Sequence, residues 1–523
     1  VTMDLTGLSP TIEEIESFLA DNSGNAYDRL LDRLLATDAH AERLTLDWMD
    51  LSRYADSHGL HADGWRRMWP WRDWVISAFQ KNMPYDEFVT WQLAGDLMPN
   101  PSTEQILATA FHRNHPMTAE GGVIDEEFRL YYVFDRVETT ATAFLGLTMN
   151  CARCHDHKFD PISQKEYYQL AAFFNNVREL GMTGDDGNYG PVLALPDAET
   201  AKKLEDLDQQ ILAVHTELKK IQQQEKTKFK AKTNLPVVSD NRLGNLVALQ
   251  FPLDAIVPIE TEEGETVQSL DGNKQATVTV TPKLINGVDG GAMWIDGEYQ
   301  YLTLKGVGAG DVTDPFSVSL WIHPQSREPD QLVMIDQRMT RTLLGTTGGK
   351  NQYWRGWDLY LDYKGHLAAR LIHNLPDILI HVRSVSPIVD GKWTHVAMSY
   401  DGTGQAAGIS LFINGKSVEF RVVLDQLTRT ILPDGGKARD VRAGRSYRGF
   451  TGDFGIYQGG LDDIRFYELA LTQVEVEQLF RSYHCPDLEI SSSVNQPTSA
   501  DRFQHWLSRE HTSWQAITAT YRE

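Results

Sequence analysis

The sequence predicts a multidomain protein of the α plus β class, with a helical amino-terminal domain, a long helical linker and an antiparallel β-sandwich of the jelly-roll type. The first observation is length, because 523 residues are several times the ~150 of an ordinary domain. The second is the helical spacing of apolar residues up to about residue 190. The third is a change of period to two after Asn234, where short β-branched segments alternate with Gly, Asp and Asn turns.

Composition and charge indicate packed cores and restrict the possible partners. Hydrophobic residues make up 41% of the chain and charged residues 23%, which favours folded domains over a disordered chain. The formal net charge of −23, from 49 basic and 72 acidic residues, disfavours nucleic acid as a partner. No apolar run approaches the ~18 residues of a membrane span. Three cysteines are too few for a disulfide framework.

Capping and periodicity predict the elements of the helical domain, residues 1–195. Thr11 is predicted to cap a helix that begins at Ile12, because Glu14 follows three positions later, as in a capping box. Apolar spacing predicts further helices over residues 27–35, 41–54, 71–81, 85–93 and 127–144.

Residues 196–235 are predicted to form one long helix between the domains. Its apolar residues alternate three and four apart, as in a heptad seam: Leu204, Leu207, Ile211, Val214, Leu218 and Ile221. Such a helix can lie on a neighbouring domain, pair within the chain, or dimerise as a coiled coil. The seam is under three heptads long, which favours the first two alternatives over dimerisation.

The β-sandwich is predicted over residues 236–484. Period-two patterning indicates short strands within residues 244–251, 276–281, 300–304, 317–323, 358–363, 367–371, 378–383, 393–400 and 410–413. The dipeptide Asn414-Gly415 predicts a tight hairpin. A helix over 471–483 closes the domain, and residues 485–523 are predicted to be a linker and the start of a further helical region.

The sharpest chemical motif is Cys151-Ala152-Arg153-Cys154-His155. Two thiols three residues apart can bond to the two vinyl groups of a haem while the adjoining imidazole coordinates its iron. The motif therefore predicts c-type haem attachment through Cys151, Cys154 and His155. Two alternatives stay open: a non-haem metal site that adds His157 to these three residues, or buried structural cysteines without a cofactor.

Several segments of the helical half resemble one known family. They include Arg53-Tyr54-Ala55-Asp56, Gln92-Leu93-Ala94-Gly95-Asp96, Asp135-Arg136-Val137-Glu138-Thr139-Thr140 and CARCHDHKFDPISQKEYY over residues 151–168. Residues 1 to about 180 are thereby similar to the planctomycete secreted cytochrome family, in its cytochrome c-like domain of otherwise unknown function. The resemblance implies a cytochrome c-like helical domain with haem c, a redox partner protein, and export to the periplasm or cell surface.

This resemblance leaves the sixth iron ligand open. His115 and Met117 precede a Glu-Gly-Gly turn and are the axial candidates. Family members often carry a cytochrome c domain before this region and another domain after it. Neither is in the sequence, so the chain is expected to be a fragment of a longer protein.

The β-rich half carries a second resemblance. Residues 316–322 (FSVSLWI), 391–397 (GKWTHVA), 411–416 (LFINGK) and 460–467 (GLDDIRFY) are similar to the laminin G-like, concanavalin A-like jelly-roll family, over about residues 240–482. The resemblance implies a glycan or protein ligand, and calcium in some members, for which Asp296 and Asp462 are the candidate ligands. Trp321 and Trp393 are interpreted as core anchors rather than ligand stackers.

The function favoured by these patterns is that of an exported c-type haem protein for electron transfer or haem-dependent redox chemistry, whose jelly roll binds a glycan or protein. The alternative is a non-enzymatic surface adhesion or scaffold protein with a structural helical domain and a carbohydrate-binding sandwich. No nucleophile elbow, His-Glu-x-x-His motif or Walker loop indicates another chemistry. An arginine cluster is either an anion site or an ordinary solvated loop: Arg439, Arg442, Arg445 and Arg448.

Overall fold

The computed structural model describes residues 1–229, 246–260, 266–270, 275–298, 300–308, 310–325, 340–349, 353–447, 455–483 and 497–522. Two compact units make up the chain, Val1–Leu193 and Ala194–Glu523. The first is helical and the second contains two antiparallel sheets, which confirms the predicted multidomain α plus β class. Cys485 and the expected boundaries near residues 235 and 484 lie outside the described residues, so the four-part domain division stays a prediction.

The first unit consists of α-helices joined by short turns. The helices are α1 (Thr2–Thr6), α2 (Ile12–Ala20), α3 (Ala26–Leu35), α4 (Asp38–Leu51), α5 (Trp69–Gln80), α6 (Tyr85–Ala94), α7 (Thr103–Ala108), α8 (Asp125–Thr140) and α9 (Gln164–Phe174). The turns of 3-10 helix are Gly95–Leu97, Thr109–Arg113 and Asn150–Arg153, and a turn of π-helix over Ala141–Leu145 extends α8.

The predicted capping box at the start of α2 is confirmed. The Thr11 hydroxyl accepts a hydrogen bond from the N–H of Glu14 at 3.2 Å, and the Glu14 carboxylate accepts one from the N–H of Thr11 at 2.8 Å. Ser163 and Glu166 form the same arrangement before α9, a helix that the apolar pattern did not predict. Each box satisfies N–H groups that have no partner inside the helix.

Aromatic side chains form the core of the helical unit. Trp48 on α4, Trp71 and Trp74 on α5, and Phe88 on α6 pack in one cluster with Phe111. Their burial follows the helical spacing seen in the sequence, because residues three or four positions apart share one face of a helix.

Among its described residues, the second unit contains the strands and four α-helices. The strands are β1 (Leu249–Phe251), β2 (Ile256–Glu260), β3 (Thr266–Leu270), β4 (Ala276–Val278), β5 (Lys283–Asn286), β6 (Gly291–Asp296), β7 (Leu302–Leu304), β8 (Phe316–Pro324), β9 (Thr340–Gly345), β10 (Gly356–Asp362), β11 (His366–Asn374), β12 (Ile378–Pro387), β13 (Thr394–Tyr400), β14 (Ile409–Ile413), β15 (Lys416–Ser417), β16 (Phe420–Asp425), β17 (Val441–Ala443) and β18 (Gln458–Tyr467). The helices are α10 (Ala198–Phe229), α11 (Gln473–Ser482), α12 (Ser499–Glu510) and α13 (Thr512–Arg522). Within the described ranges, no helix is both long enough and apolar enough to cross a membrane.

The strands form two sheets of a sandwich. The eight-stranded sheet has the order β15-β14-β13-β8-β18-β6-β5, with β1 also paired to β18. The ten-stranded sheet has the order β16-β12-β11-β10-β9-β17-β7-β4-β3-β2. Neighbouring strands are antiparallel, as in the central pairs of β8 with β13 and β18.

Alternate residues of the strands fill the core between the sheets. Leu320 and Ile322 of β8 and Val396 of β13 belong to this core, and each is fully buried. The intervening residues of β8 and β13 lie on the outer face, where α11 covers Trp321. The ring centroids of Trp321 and Phe480 of α11 are 5.6 Å apart.

Asn414 and Gly415 form the predicted tight turn between β14 and β15. Their φ angles are 49° and 74°, and such positive values at both positions are those of a type I′ turn. A side chain at residue 415 would also collide with α11, since a Cβ there would lie 2.8 Å from the Cβ of Phe480. Both the turn and the packing of α11 therefore require glycine.

The long helix α10 pairs within the chain along its C-terminal part. Phe229 packs on Phe503 of α12 with ring centroids 5.1 Å apart, and His215 stacks on Tyr521 of α13 at 4.6 Å. Leu207, nearer the start of α10, is 51% exposed. Pairing within the chain, one of the predicted alternatives, accounts for the C-terminal part of the heptad seam.

Candidate functional site

Cys151 and Cys154 lie on one exposed turn of the helical unit. The turn is the 3-10 helix Asn150–Arg153, in which the N–H of Cys154 donates to the backbone oxygen of Cys151 at 3.3 Å. Both thiols are free and exposed, while Ala152 between them is buried in a cluster with Tyr167. The interpretation of these residues as buried structural cysteines is therefore wrong.

His155 follows the turn, and one of its ring nitrogens is held by the backbone. Its Nδ1 lies 2.7 Å from the backbone oxygen of Asp156. Because a carbonyl oxygen can only accept, Nδ1 donates this bond, and Nε2 is the ring nitrogen that could coordinate a metal. Metal-binding histidines commonly have their second nitrogen held in this way. Two exposed thiols and this imidazole fit the chemistry of haem c attachment.

His157 does not join these residues in a metal site. Its Nδ1 accepts a hydrogen bond from the N–H of Asp160 at 2.9 Å, and its side chain is nearly buried in that loop. In the part of the chain that the structure describes, no three His, Cys, Asp or Glu side chains are placed to hold a metal ion together. The four-ligand alternative is therefore not formed.

The two axial candidates lie in the interior of the helical unit. His115 is fully buried and stacks on Tyr132 with ring centroids 4.4 Å apart, and Met117 is buried nearby in sequence. Nδ1 of His115 lies 3.0 Å from the backbone oxygen of Pro116, and Nε2 lies 3.2 Å from the carboxylate of Glu179. Both ring nitrogens thus face protein atoms, and an axial role for either residue stays a prediction.

Glu179 is the centre of a buried charge cluster around His115. Both terminal nitrogens of Arg136 donate to its carboxylate, and Nη1 of Arg113 donates at 2.8 Å. Burial by itself raises the pKa of Glu179, but Arg136 and His115 more than offset this and hold the pKa well below its usual range. Burial, reinforced by Arg136, lowers the pKa of His115 to about 3, and the neighbouring carboxylate of Glu179 opposes this shift. Sequence reasoning did not select this cluster, because its members are far apart in the chain.

The two calcium candidates are separated on neighbouring strands. Asp296 of β6 is opposite Gln458 of β18. Asp462 lies four positions after Gln458 in β18, so roughly 14 Å of strand separates the backbones of these two residues. Asp296 is exposed, whereas Asp462 is fully buried and accepts a hydrogen bond from the N–H of Val288 at 2.7 Å. Burial raises the pKa of Asp462 to about 7. The structure does not bring these carboxylates to one ion, and calcium at either stays a prediction.

The outer face of the eight-stranded sheet carries two different aromatic environments. Trp321 is fully buried beneath α11, which confirms it as a core anchor. Trp393, just before β13, packs against the same cluster on one side and is only half-buried. The two tryptophans therefore differ in what they can offer to a ligand.

Trp393 belongs to an outer aromatic row that we define as Trp294, His323 and Trp393. Trp294 of β6 and His323 of β8 both lie opposite Gly460 of β18. The ring centroids of Trp294 and His323 are 6.1 Å apart, and those of His323 and Trp393 are 5.4 Å apart. Sequence reasoning missed Trp294 and His323. Parity within the predicted strand 317–323 places His323 on the face opposite the core residues, whereas no strand was predicted around Trp294.

The arginine cluster is largely used within the fold. Nη1 of Arg439 donates to the backbone oxygen of Arg355 at 2.9 Å, and the guanidinium of Arg442 lies 3.6 Å from the ring centroid of Tyr447. Arg448 lies outside the described residues. Arg439, which precedes β17, and Arg442, which lies on β17, are therefore engaged in contacts within the fold.

Two family models match separate parts of the chain. Residues 1–179 match PSCyt2, described as a protein of unknown function (DUF1549). Residues 296–477 match a laminin G-type model described as the concanavalin A-like lectin/glucanases superfamily. No curated protein matches the sequence.

Three of the solved structures that are similar to the chain each share under 20% identity with it. The binding domain of Paraclostridial Mosquitocidal Protein 1 has 18% identity and a TM-score of 0.30, and the match covers 44% of this chain and 52%, about half, of that chain. Domain 4 of AbnA, a GH43 extracellular arabinanase from Geobacillus stearothermophilus in complex with arabinotriose, has 19% identity and a TM-score of 0.27, covering 45% and 97%. The CBM40 of Ruminococcus gnavus IT-sialidase bound to α2,3 sialyllactose has 18% identity and a TM-score of 0.26, covering 32% and 83%. The chain therefore contains an amino-terminal segment that matches the DUF1549 model and, after it, a segment that matches the concanavalin A-like model.

Proposed function

We propose that this protein is a non-enzymatic surface adhesion or scaffold protein whose β-sandwich binds a glycan. The observation that carries the proposal is the match of residues 296–477 to a superfamily of lectins and glucanases. The antiparallel sandwich supports it, because a rigid scaffold loses little conformational entropy when a ligand binds.

Two buried carboxyl groups of the sandwich, Asp462 and Asp358, are not placed to hydrolyse a glycan. Glycosidases place two carboxyl groups beside the bond that they cleave, and one of these has a raised pKa. Asp462 has a raised pKa, but its side chain is fully buried. Asp358 is also fully buried, and Arg370 donates to it twice, at 3.0 and 2.8 Å. Neither carboxyl group can reach a sugar in this fold.

Binding of the full chain to an array of neutral, sialylated and sulfated glycans tests this proposal. We expect a saturable signal on at least one glycan class, competed by the same glycan in solution and without release of reducing sugar. The heat-denatured chain is the control for non-specific adhesion. Absence of a competed signal on every class contradicts the proposal.

A second candidate function rests on the exposed Cys151 turn. Cys151 and Cys154 would hold a haem through thioethers, each formed by adding a thiol S–H across a vinyl group, and Nε2 of His155 would face the iron. The observation that favours this function is the exposure of both thiols beside an imidazole whose Nδ1 is already bonded to Asp156. Such a haem would supply one-electron redox chemistry.

Production in a host that matures cytochromes c tests the haem proposal. The parent chain should retain haem after acid–acetone extraction and give a pyridine haemochrome spectrum. Replacing both thiols, Cys151→Ala with Cys154→Ala, should remove the haem, whereas Cys485→Ala, the control at the third cysteine, should keep it. A colourless parent chain from such a host contradicts the proposal.

A further inference from the structure

We propose that the outer aromatic row binds a neutral polysaccharide chain that lies across the strands of the eight-stranded sheet. The inference rests on the proposed glycan-binding function and adds the place of binding and the class of ligand. Its residues come from three separate strands or strand ends, Trp294, His323 and Trp393.

Register places the row on one face and in one line. Lys283 of β5 is opposite Trp294, Trp294 is opposite Gly460, and Gly460 is opposite His323. On the other side of His323, the pair of Ile322 with Thr394 of β13 puts Trp393, the residue just before β13, next in this line. Three strand spacings separate the backbones at Trp294 and Trp393, a distance of roughly 14 Å. The row is therefore longer than one sugar ring and suits a chain of linked rings.

Because Gly460 has no side chain, the side chains of Trp393 and His323 can pack over it and form a continuous surface. A Cβ at this position would lie 2.8 Å from Cη2 of Trp393 and 3.1 Å from the Cβ of His323. The indole of Trp393 thus reaches over β8 as far as β18, into the space that a side chain on residue 460 would occupy. Packing against the cluster beneath α11 holds the indole from one side, so the surface is formed before a ligand arrives.

The groups in and beside the row can contact both the face and the hydroxyl groups of a sugar ring. The π face of an aromatic ring is negative and attracts the weakly positive C–H groups of a pyranose face. Three polar residues lie two positions from the row residues or Gly460 along their strands, and therefore on the same face: Asp296, Gln458 and Gln325. Gln325 is exposed, and its N–H donates to the backbone oxygen of Gln458. Carboxylate and amide groups there can exchange hydrogen bonds with ring hydroxyls.

The charges around the row favour a neutral ligand. Lys283 and Lys392 are exposed at its two ends, and the carboxylates of Asp296 and Glu298 are exposed along its polar side. A polyanion would meet these carboxylates in a chain of net charge −23. The arginine cluster is a weaker candidate for an anion site because Arg439 and Arg442 make contacts within the fold.

Affinity electrophoresis of the full chain in gels containing hydroxyethyl cellulose, glucomannan or xyloglucan tests the proposal, with dextran sulfate as the anionic comparison. We expect retardation by at least one neutral polymer. Trp393→Ala and Trp294→Ala should each weaken binding about tenfold or more, as for a central aromatic anchor. Gly460→Ala should weaken it by displacing the indole while the backbone stays compatible with folding. Tyr363→Ala is the matched control, because Tyr363 is an exposed aromatic residue at the turn between β10 and β11 of the other sheet.

Each remaining outcome overturns the proposal in a distinguishable way. Equal retardation of parent and row variants, with unchanged thermal unfolding, rejects the row and leaves the glycan-binding function standing. Retardation by dextran sulfate alone rejects the neutral ligand class. Loss of self-association in Trp294→Ala, seen by sedimentation without any polymer effect, identifies the row as an interface between copies. If the parent binds neither these polymers nor any glycan of the array, the proposed function fails together with the row.

Discussion

His395 shows at the residue scale how burial shifts the pKa of a histidine. It is fully buried on the outer face of the eight-stranded sheet, packed among Trp321, Phe480 and Tyr483. Neither ring nitrogen has a hydrogen-bond partner among the described residues. Burial lowers its pKa to about 3, because the charged imidazolium would lose its hydration. The folded sandwich therefore contains a neutral histidine that the unfolded chain would protonate below about pH 6.5.

His395→Leu is predicted to remove a pH dependence from the sandwich. Between about pH 6.5 and 3 the unfolded parent binds one proton more than the folded parent at this site, so its stability falls by ~1.4 kcal/mol per pH unit as pH decreases. Leucine of similar volume cannot titrate. At pH 5 the variant should therefore gain about 2 kcal/mol over the parent beyond their difference at pH 7.5. Urea unfolding followed by circular dichroism at both pH values measures this gain, and parallel pH profiles would refute the argument.

At the scale of elements, the apolar spacing of a helix does not by itself determine which part of it is packed. Helix α10 is the clearest case. Its half-buried positions include His215 and Leu218, whereas Leu204 and Leu207 are about half exposed, at 49% and 51%. The heptad pattern is continuous along the helix, but α12 and α13 cover only its C-terminal part. The same apolar spacing therefore produces packing at one end and an exposed seam at the other.

A glutamate scan of this seam should separate its two ends. Leu218→Glu should destabilise the packing of α13 by ~1–3 kcal/mol, because it puts a charge in a partly buried contact. Leu207→Glu, the matched change on the exposed part, should stay within ~0.5 kcal/mol of the parent. Thermal melting followed by far-UV circular dichroism makes the comparison.

Sedimentation equilibrium is expected to give one monomer mass for the parent and for Leu207→Glu. A parent dimer that Leu207→Glu dissociates would instead establish the coiled-coil interpretation.

At the scale of the whole molecule, the C-terminal helices are part of the sandwich unit. Arg509 of α12 donates to the buried carboxylate of Glu475 on α11 at 2.7 and 2.9 Å. Thr472 and His505 form a further bond at 2.9 Å, and Arg522 of α13 donates to the backbone oxygen of Asp401 at 2.7 Å. Because a buried carboxylate without its cation is costly, these helices contribute to the stability of the strands that precede them.

A fragment of residues 194–523 should consequently fold alone with one cooperative transition. The shorter fragment of residues 236–484 should also fold as β protein, but with lower stability, by on the order of 3 kcal/mol, because Glu475 loses Arg509. Differential scanning calorimetry of both fragments and of the full chain makes the comparison. Equal stability of the two fragments would show that α12 and α13 contribute nothing. Failure of residues 194–523 to fold without residues 1–193 would show that the two cores are interdependent.

Sequence reasoning reached the elements whose cause is local. The capping box of Thr11 with Glu14 and the turn at Asn414-Gly415 were predicted because both depend on residues within a few positions of one another. The strands β8 and β13 were predicted because their core-facing residues alternate with period two. Helix α9 was not predicted, although the capping box of Ser163 with Glu166 marks its start within a few positions.

The candidate site divides in the same way. The spacing of Cys151, Cys154 and His155 is a property of five consecutive residues, so the sequence alone determined which groups share a turn. Only the tertiary structure decided that both thiols are exposed, that His115 faces Glu179 some 64 positions later, and that α11 buries Trp321 but leaves Trp393 at the end of a row with His323. The physical reason is that exposure and pairing depend on which distant segment packs against a residue, and apolar periodicity specifies a buried face without specifying its partner.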